Sequence, residues 1–309
     1  MGSQMKYTFL FPGQGSQAVG MGKDIYEAFE TARKKMDLAN TILGRDLLKI
    51  IFEGPQEELT ATQNTQPALF TIESAITDIL IEKGKIPSFT AGHSLGEYSA
   101  LYAAGILSFE DGLRAVAKRG ELMAGAGKET PGTMAAVIAL SKAEIVDVLK
   151  TVTSGIVVTA NENTPVQTVI SGEVAAVNEA CEKLKAAGAK RAMILPVSGA
   201  FHSPLMQKAA DAFCSVLDVM TFNTPRCPII LNVSAKPETD AAQIKQFVKK
   251  QLISPVRWVD SIASLSSLDF GTCVEVGPGA VISGLVKKCN ESINVVPCDT
   301  ATNIYSLLN

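Results

Sequence analysis

The sequence predicts an α/β fold in which a small domain of order βαββαβ is inserted into a larger one. Three observations lead to this prediction. Apolar residues make up 47% of the 309 residues and charged residues 19%, which is ordinary for a globular α/β protein with a large core. Short apolar runs end at Gly or Pro and are followed by helical stretches, as alternating strands and helices do. From Thr133 onward a different alternation of elements begins.

The larger domain is predicted from the chain on both sides of the insertion. Its first strand, Tyr7–Phe11, ends at Pro12-Gly13 and leads into a loop with many free backbone donors. Thr65-Gln66-Pro67 is predicted to open a helix with Pro in its first turn, and Ser108 to cap another. The other strands of this domain are predicted at 89–91, 227–233 and 273–276. Helices are predicted at 26–43, 46–52, 65–84, 95–104 and 108–124.

The second alternation supplies the elements of the small domain. Strands are predicted at 134–140, 156–160, 168–170 and 191–195, and helices at 142–151 and 173–187. The resulting order, βαββαβ, matches the ferredoxin-like split motif. We therefore expect a small domain over residues 131–198 and a large domain made of residues 5–130 and 199–309.

Composition argues against several classes of function. The net charge of −3 does not suit nucleic acid, because neutralising phosphates needs a basic face. No apolar run approaches the roughly 20 residues of a membrane span, and no basic segment precedes an apolar one at the N-terminus, so neither a membrane anchor nor secretion is expected. The six cysteines form no Cys-x-x-Cys pair, which indicates free thiols in a reducing cytoplasm and no zinc framework. Met1-Gly2-Ser3-Gln4 is typical of a residual expression tag and is left out of the fold prediction.

A nucleophile is predicted in Gly92-His93-Ser94-Leu95-Gly96, which fits the pattern G-x-S-x-G. That pattern holds a serine on a tight turn between a strand and a helix, and the elements predicted on either side supply this context. Glycine at both ends leaves room for the turn, and the helix N-terminus offers free N–H groups to developing negative charge. A glycine-rich turn with a capping serine is the alternative. Ser94 is the candidate nucleophile.

A serine nucleophile needs a base, and the chain contains two histidines. His93 adjoins Ser94, and adjacent side chains in such a turn diverge, so it is poorly placed to deprotonate Ser94. His202 follows a predicted strand and precedes a predicted helix, a common position for a catalytic residue. A structural histidine is the alternative. No acid stands in an obvious third position, but a backbone carbonyl can orient a histidine. The prediction is therefore a Ser94–His202 dyad.

A cation is predicted on an apolar helix face. Arg119 falls between Val116 and Met123 at three- and four-residue spacing, so it points nearer the core than a solvated arginine does. A buried guanidinium needs an anionic partner. An internal salt bridge is one explanation, and a fork that grips a substrate carboxylate with two hydrogen bonds is the other.

Eight motifs stand in one order along the chain from Met5 to near its end. They are FPGQGSQ, TQPAL, GHSLGEYSA, KRG around Arg119, NENTPVQTVISG, GAFHSPLM around His202, QLISPVRW and EVGPG. With them the chain resembles the malonyl-CoA:acyl carrier protein transacylases of bacterial type II fatty acid synthesis and the related acyltransferase domains of polyketide synthases. Several distinctive motifs in order are far more specific than the G-x-S-x-G pattern alone.

The resemblance implies a fold and a reaction. The large domain would be α/β-hydrolase-like and the insertion ferredoxin-like. Ser94 would take a malonyl group from coenzyme A and pass it to the phosphopantetheine thiol of acyl carrier protein, in the cytoplasm and without a metal or cofactor. Phe201, before His202, is similar to the residue in malonyl-using members rather than in methylmalonyl-using ones.

The resemblance also implies roles for individual residues. The backbone N–H groups of Gln14 and Leu95 would form the oxyanion hole. Arg119 would bind the malonyl carboxylate. Gln251 would orient His202 through its main-chain carbonyl.

Three other functions remain open from the sequence. A hydrolase could use the same dyad to release the acyl group to water, a docking module could bind a carrier protein without catalysis, and a discrete polyketide acyltransferase could serve a different carrier. Asn161 and Asn163 match residues near the family's domain interface and receive no role. Arg257 departs from the neutral residue that the family often carries before Trp258, without an explanation from the sequence.

Overall fold

The computed structural model describes residues 5–309, so Met1–Gln4, the predicted expression tag, lies outside the described residues. The strands are β1 (Tyr7–Phe11), β2 (Pro87–Gly92), β3 (Gly132–Ile138), β4 (Val157–Thr164), β5 (Gln167–Glu173), β6 (Arg191–Ile194), β7 (Ile229–Ile230), β8 (Pro237–Glu238), β9 (Thr272–Val276) and β10 (Val295–Cys298). The helices are α1 (Lys23–Ala28), α2 (Glu30–Leu43), α3 (Leu47–Glu53), α4 (Gln56–Thr60), α5 (Thr62–Glu82), α6 (Gly96–Ala103), α7 (Phe109–Glu129), α8 (Lys142–Leu149), α9 (Val174–Ala186), α10 (Gln207–Asp218), α11 (Ala241–Lys250), α12 (Trp258–Ser266), α13 (Val281–Cys289) and α14 (Ala301–Leu308). Short 3-10 turns lie at Pro204–Met206 and Gln251–Ile253.

The larger sheet positions the site. Its strands follow the order β10-β9-β1-β2-β7-β8, parallel except for β8. Every residue of β1 is buried, because helices cover both faces of this sheet. Phe11 at the end of β1 pairs with Gly92 at the end of β2. The loops that follow these two strands therefore meet at one edge of the sheet.

Two apolar cores cover the faces of this sheet. On one face α2, α5, α6, α7 and α10 pack around side chains such as Phe9 and Phe70. On the other face α12 and α13 pack against Leu10 through Trp258 and Ile282. This arrangement is a mixed α/β fold, as the composition predicts. No helix among residues 5–309 combines the length and the apolar character that crossing a membrane requires.

The second sheet is antiparallel, with strand order β4-β5-β3-β6. Its elements follow the chain order β3-α8-β4-β5-α9-β6. Helices α8 and α9 bury Ile145, Val177 and Leu184 against the sheet. Edge strand β4 also makes an isolated parallel bridge from Asn161 to Val256, which lies in the segment just before α12 of the large-sheet layer.

Several predicted element bounds are wrong. Pro67 does not open a helix but lies inside α5, which begins at Thr62. Because Pro67 has no N–H, the carbonyl of Gln63 is free to accept a hydrogen bond from Arg45 at 3.2 Å. The predicted helix 26–43 is two helices, since Phe29 is extended with φ −123°.

Strand predictions differ from the structure in three places. The strand predicted at 227–233 shrinks to β7 because the chain turns back after it, with the N–H of Ala235 bound to the carbonyl of Leu231 at 2.8 Å. Strand β4 continues through Thr164, where a turn was expected. Strand β10 was not predicted, and its Pro297 explains why, since Pro weakens a strand pattern.

Candidate active site

The turn that carries Ser94 joins β2 to α6 and has no room for side chains at its ends. A Cβ on Gly92 would overlap the peptide of Gly96, and a Cβ on Gly96 would overlap the carbonyl of Phe11. Ser94 itself has φ 53°, in the left-handed region that non-glycine residues rarely adopt. The glycines of the pattern are therefore steric requirements of this turn.

We expect Gly92→Ala to lower the free energy of unfolding by about 2–3 kcal/mol, because a methyl group there must displace backbone. Gly125→Ala is the matched control, since nothing lies within 4 Å of a Cβ at that helical position. It should stabilise α7 by about 0.5–1 kcal/mol. Urea unfolding of both variants measures these changes. Equal changes in stability would show that the backbone around Gly92 accommodates a methyl group without cost.

Ser94 and His202 form a hydrogen-bonded pair. The Ser94 hydroxyl donates to Nε2 of His202 at 2.8 Å. On the other side of the ring, Nδ1 lies 3.0 Å from the carbonyl oxygen of Gln251 and 3.1 Å from that of Ser254. Carbonyl oxygens only accept hydrogen bonds, so Nδ1 carries the proton and Nε2 presents a lone pair to the serine.

The surroundings of His202 keep its ring neutral. It is 3% exposed and has φ 56°, on the loop between β6 and α10. Burial, together with the nearby positive charge of Arg119, lowers the pKa of His202 to about 3. A neutral imidazole with a free lone pair is the form that accepts a proton.

His93 is turned away from this pair. Its Nε2 lies 2.7 Å from Oδ1 of Asn163, and its ring lies 5.5 Å from that of Trp258. The adjacent side chains of His93 and Ser94 therefore diverge in this turn, as the sequence predicts.

Arg119 is buried beside the nucleophile, with 1% of its surface exposed. Its guanidinium donates to Oε1 of Gln66 at 2.8 Å, to Oε1 of Gln251 at 2.9 Å and to Oγ of Ser94 at 3.2 Å. These acceptors are uncharged, and none of residues 5–309 forms an ion pair with it. No carboxylate contacts the guanidinium directly among residues 5–309, and the charge of Glu97 reaches it only across the Gln251 amide. A buried cation without a direct anionic partner favours binding of an anion.

A cavity of about 280 Å³ opens in front of Ser94, between the two sheets. Polar groups on one wall come from Gln14, Ser94, Arg119 and His202. The facing wall is mainly apolar, with the amides of Asn161, Asn163 and Gln167 at intervals; its apolar members include Met134, Val169, Leu195, Val197 and Phe201. A larger cavity of about 460 Å³ lies between α7 and α10 and contains none of the predicted site residues.

Two backbone N–H groups border this cavity without a hydrogen-bond acceptor among residues 5–309. They belong to Gln14, after β1, and Leu95, at the start of α6. The side chain of Gln14 donates to Oγ1 of Thr62 at 3.2 Å, which fixes the loop. Unused donors beside a nucleophile suit an oxygen on which negative charge develops.

Sequence reasoning missed three residues that support the site. Gln66 lies in the TQPAL motif, and a polar residue on the buried face of α5 was the signal available. Glu97 lies in the GHSLGEYSA motif, and Asn232 follows β7 with no local pattern to mark it.

Arg257, which the sequence left unexplained, lies apart from the cavity. Its guanidinium binds the carboxylate of Asp260 at 2.6 Å and 2.9 Å.

Comparisons with known proteins agree with this geometry. A family model described as an acyl transferase domain matches residues 8–304. The malonyl CoA-acyl carrier protein transacylase of Bacillus subtilis (strain 168) is 47% identical over 293 residues, which cover 94% of this chain and 92% of the relative.

Two solved structures are similar over nearly the whole chain. The malonyl CoA-acyl carrier protein transacylase of Coxiella burnetii has a TM-score of 0.95 and 37% identity, covering 98% of this chain and 97% of its own. A malonyl-transacylase in complex with its type II polyketide synthase acyl-carrier protein has a TM-score of 0.94 and 40% identity, covering 98% and 99%. With the family model matched almost from end to end and relatives this similar, the chain belongs to the acyl transferase family and, within it, to the malonyl CoA-acyl carrier protein transacylases.

Proposed function

We propose that this chain transfers a malonyl group from malonyl-CoA to the phosphopantetheine thiol of an acyl carrier protein, through an ester on Ser94. The observation that carries the proposal is the buried guanidinium of Arg119, 3.2 Å from the Ser94 hydroxyl and without a carboxylate partner among residues 5–309. Malonyl and acetyl groups differ by one carboxylate, and a buried cation beside Ser94 supports recognition of that carboxylate.

The first half of the reaction makes the acyl-enzyme. Oγ of Ser94 attacks the thioester carbon while Nε2 of His202 takes the hydroxyl proton. The N–H groups of Gln14 and Leu95 hold the oxygen that becomes negative. The C–S bond then breaks, and the coenzyme A sulfur leaves as the thiol with the proton from His202.

The second half returns the enzyme to its starting state. The carrier-protein thiol gives its proton to Nε2 of His202 and attacks the ester carbon. The C–O bond breaks, and Oγ of Ser94 recovers the proton from the imidazolium. The carbonyl of Gln251 keeps the ring in the same tautomer through both halves, because it accepts only from Nδ1.

The domain division and the setting belong to the same proposal. Residues 5–130 and 199–309 form an α/β-hydrolase-like domain and residues 131–198 a ferredoxin-like one. The tight turn that carries Ser94 between β2 and α6 supports the first assignment, and the strand order β4-β5-β3-β6 supports the second. The six cysteines are free thiols, which supports a reducing cytoplasm as the setting.

A discrete polyketide-type acyltransferase is the second candidate. The relative that was solved with its type II polyketide synthase carrier protein favours it. The chemistry at Ser94 is the same, and only the carrier differs. Supply of malonyl groups for fatty acid synthesis remains the first candidate, since the curated relatives carry the malonyl transacylase name without a polyketide carrier.

The test is intact-mass spectrometry of the protein mixed with malonyl-CoA, followed by mapping of the modified peptide. We expect one malonyl adduct on Ser94, a burst of free coenzyme A equal to the enzyme, and discharge when a carrier protein bearing phosphopantetheine is added. Ser94→Ala is the negative control and should form no adduct. Steady release of malonate to water without carrier would establish a hydrolase, and an adduct on a cysteine would refute the assignment of Ser94.

A further inference from the structure

A fully buried carboxyl group, that of Glu97, lies directly behind the nucleophile on the first turn of α6. We infer that Glu97 is a positioning residue for acylation, which fixes the peptide groups on both sides of Ser94 through the side chains of Asn232 and Gln251. The inference rests on the proposed role of Ser94 as the acylated residue.

Two donors occupy the two oxygens of Glu97. The backbone N–H of Asn232 donates to Oε2 at 2.5 Å, and Nε2 of Gln251 donates to Oε1 at 3.0 Å. The same two residues hold Ser94. Oδ1 of Asn232 accepts from the Ser94 N–H at 2.8 Å, and Nε2 of Gln251 donates to the Ser94 carbonyl at 2.9 Å.

The polarity of this network depends on an ionised carboxylate. An ionised carboxylate accepts from both donors and presents no proton that would need an acceptor of its own. With Nε2 of Gln251 committed to Glu97, its Oε1 faces the guanidinium of Arg119 at 2.9 Å. A proton on Glu97 would remove the charge that both donors face and would weaken both hydrogen bonds, although the Gln251 amide would still be held by the Ser94 carbonyl and by Arg119.

The strained backbone of Ser94 makes this support necessary. Its φ of 53° costs about 1–2 kcal/mol for an L-residue, so the turn relaxes when its hydrogen bonds are lost. Gln251 also provides the carbonyl that orients His202 at 3.0 Å. A disturbance at Glu97 therefore reaches the nucleophile and its base together.

The surroundings of Glu97 set the pH at which its carboxylate takes up a proton. Burial raises the pKa of Glu97 to about 7, while the Asn232 N–H and Arg119 act in the opposite direction. Helix α6 packs against α5, α7, β1 and β2. Arg119 is the charged group that α7 turns toward it. Burial raises the pKa of Glu73 on α5 well above its ordinary value. Tyr98 lies next to Glu97 on α6, His202 reaches the same core from its loop, and β1 and β2 contain no acid, lysine, arginine or histidine.

The experiment measures the single-turnover rate of Ser94 acylation by malonyl-CoA from about pH 5.5 to about pH 8.5, together with kcat and KM for transfer. Glu97→Gln keeps size and removes the charge. Glu73→Gln is the matched control, because Glu73 is equally buried but binds none of the site residues. Circular dichroism and thermal melting verify that both variants fold.

We expect Glu97→Gln to acylate about 10–100-fold more slowly than the parent at high pH, with KM changed by less than about threefold. At low pH the two rates should converge, since the parent is then protonated at Glu97. The parent and Glu73→Gln should both lose rate as pH falls through the pKa of Glu97. The loss should be absent from Glu97→Gln, which distinguishes it from titration of His202, whose pKa burial lowers to about 3.

Other outcomes overturn the inference. A Glu97→Gln rate that equals the parent rate at high pH removes the positioning role, and so does a rate that runs parallel to the parent at every pH. If Glu97→Gln does not fold, the parent profile decides, and a flat profile between about pH 6 and 8 refutes the inference. Failure of the parent to form any malonyl ester on Ser94 would instead refute the proposed function itself.

Discussion

Arg119→Ala is expected to lower kcat/KM for malonyl-CoA by about two to four decades while kcat/KM for acetyl-CoA holds or rises. Losing the partner of a buried carboxylate costs about 3–5 kcal/mol, and about 1.4 kcal/mol corresponds to one decade. The donor that lacks a carboxylate makes no use of the guanidinium.

The positive charge of Arg119 also explains why acetyl transfer should rise in this variant. This cation lowers the pKa of His202, so its removal makes the imidazole a stronger base toward Ser94. That change assists both donors, but only malonyl-CoA also loses its anchor. A rise in acetyl transfer is therefore the expected companion of the fall in malonyl transfer.

Two further variants sharpen the measurement. Arg119→Lys keeps the charge but loses the planar fork, and should recover part of the malonyl rate. Arg114→Ala removes an exposed arginine from the same helix, where it pairs with Glu110, and should change neither donor. If Arg119→Ala lowers both donors by one factor, Arg119 has a structural role and the malonyl assignment loses its main physical support.

His202→Ala is expected to slow acylation of Ser94 by about 10²–10⁴-fold, the usual contribution of a positioned acid–base group. Without Nε2 at 2.8 Å, the hydroxyl proton has no acceptor as the thioester is attacked. The leaving thiol needs less help, so the base role should account for most of the loss. Stopped-flow release of coenzyme A measures this step directly.

His93→Ala is the matched control, since His93 borders the same cavity and is the other histidine of the chain. Its ring binds Asn163 and lies beside Trp258, so we expect a much smaller change in rate. A larger loss for His93→Ala than for His202→Ala would show that the wrong histidine was assigned.

Much of the fold could be predicted because strong local patterns agree with the tertiary structure. Tyr7–Phe11 is apolar throughout and bounded by Pro-Gly, and it forms a strand with every residue buried. Pro67 was misplaced because a proline inside a helix is tolerated when another group, here Arg45, takes the freed carbonyl. Such a compensation is made across the fold and leaves no trace in the local sequence.

The candidate site also contains residues that the sequence predicts and residues that it does not. The turn around Ser94 follows a steric rule that is written in consecutive residues, and scarcity of histidine left few candidates for the base. Asn232 could not be found, because its contact with Ser94 joins residues 138 positions apart and amides have no periodic pattern. Periodicity placed Arg119 toward the core, but it could not show that its neighbours there are the neutral amides of Gln66 and Gln251.

The backbone of Ser94 and His202, at φ 53° and 56°, sets stability against activity in this protein. Each conformation costs an L-residue about 1–2 kcal/mol, and glycine would avoid that cost at the expense of about 0.5–1 kcal/mol in chain entropy. At Ser94, whose side chain is small and only half-buried, selection for heat resistance alone would therefore favour glycine, whereas at the buried His202 the loss of the ring would cost more than the relief of strain. An evolving or engineered population therefore keeps the hydroxyl of Ser94 only while turnover itself is selected.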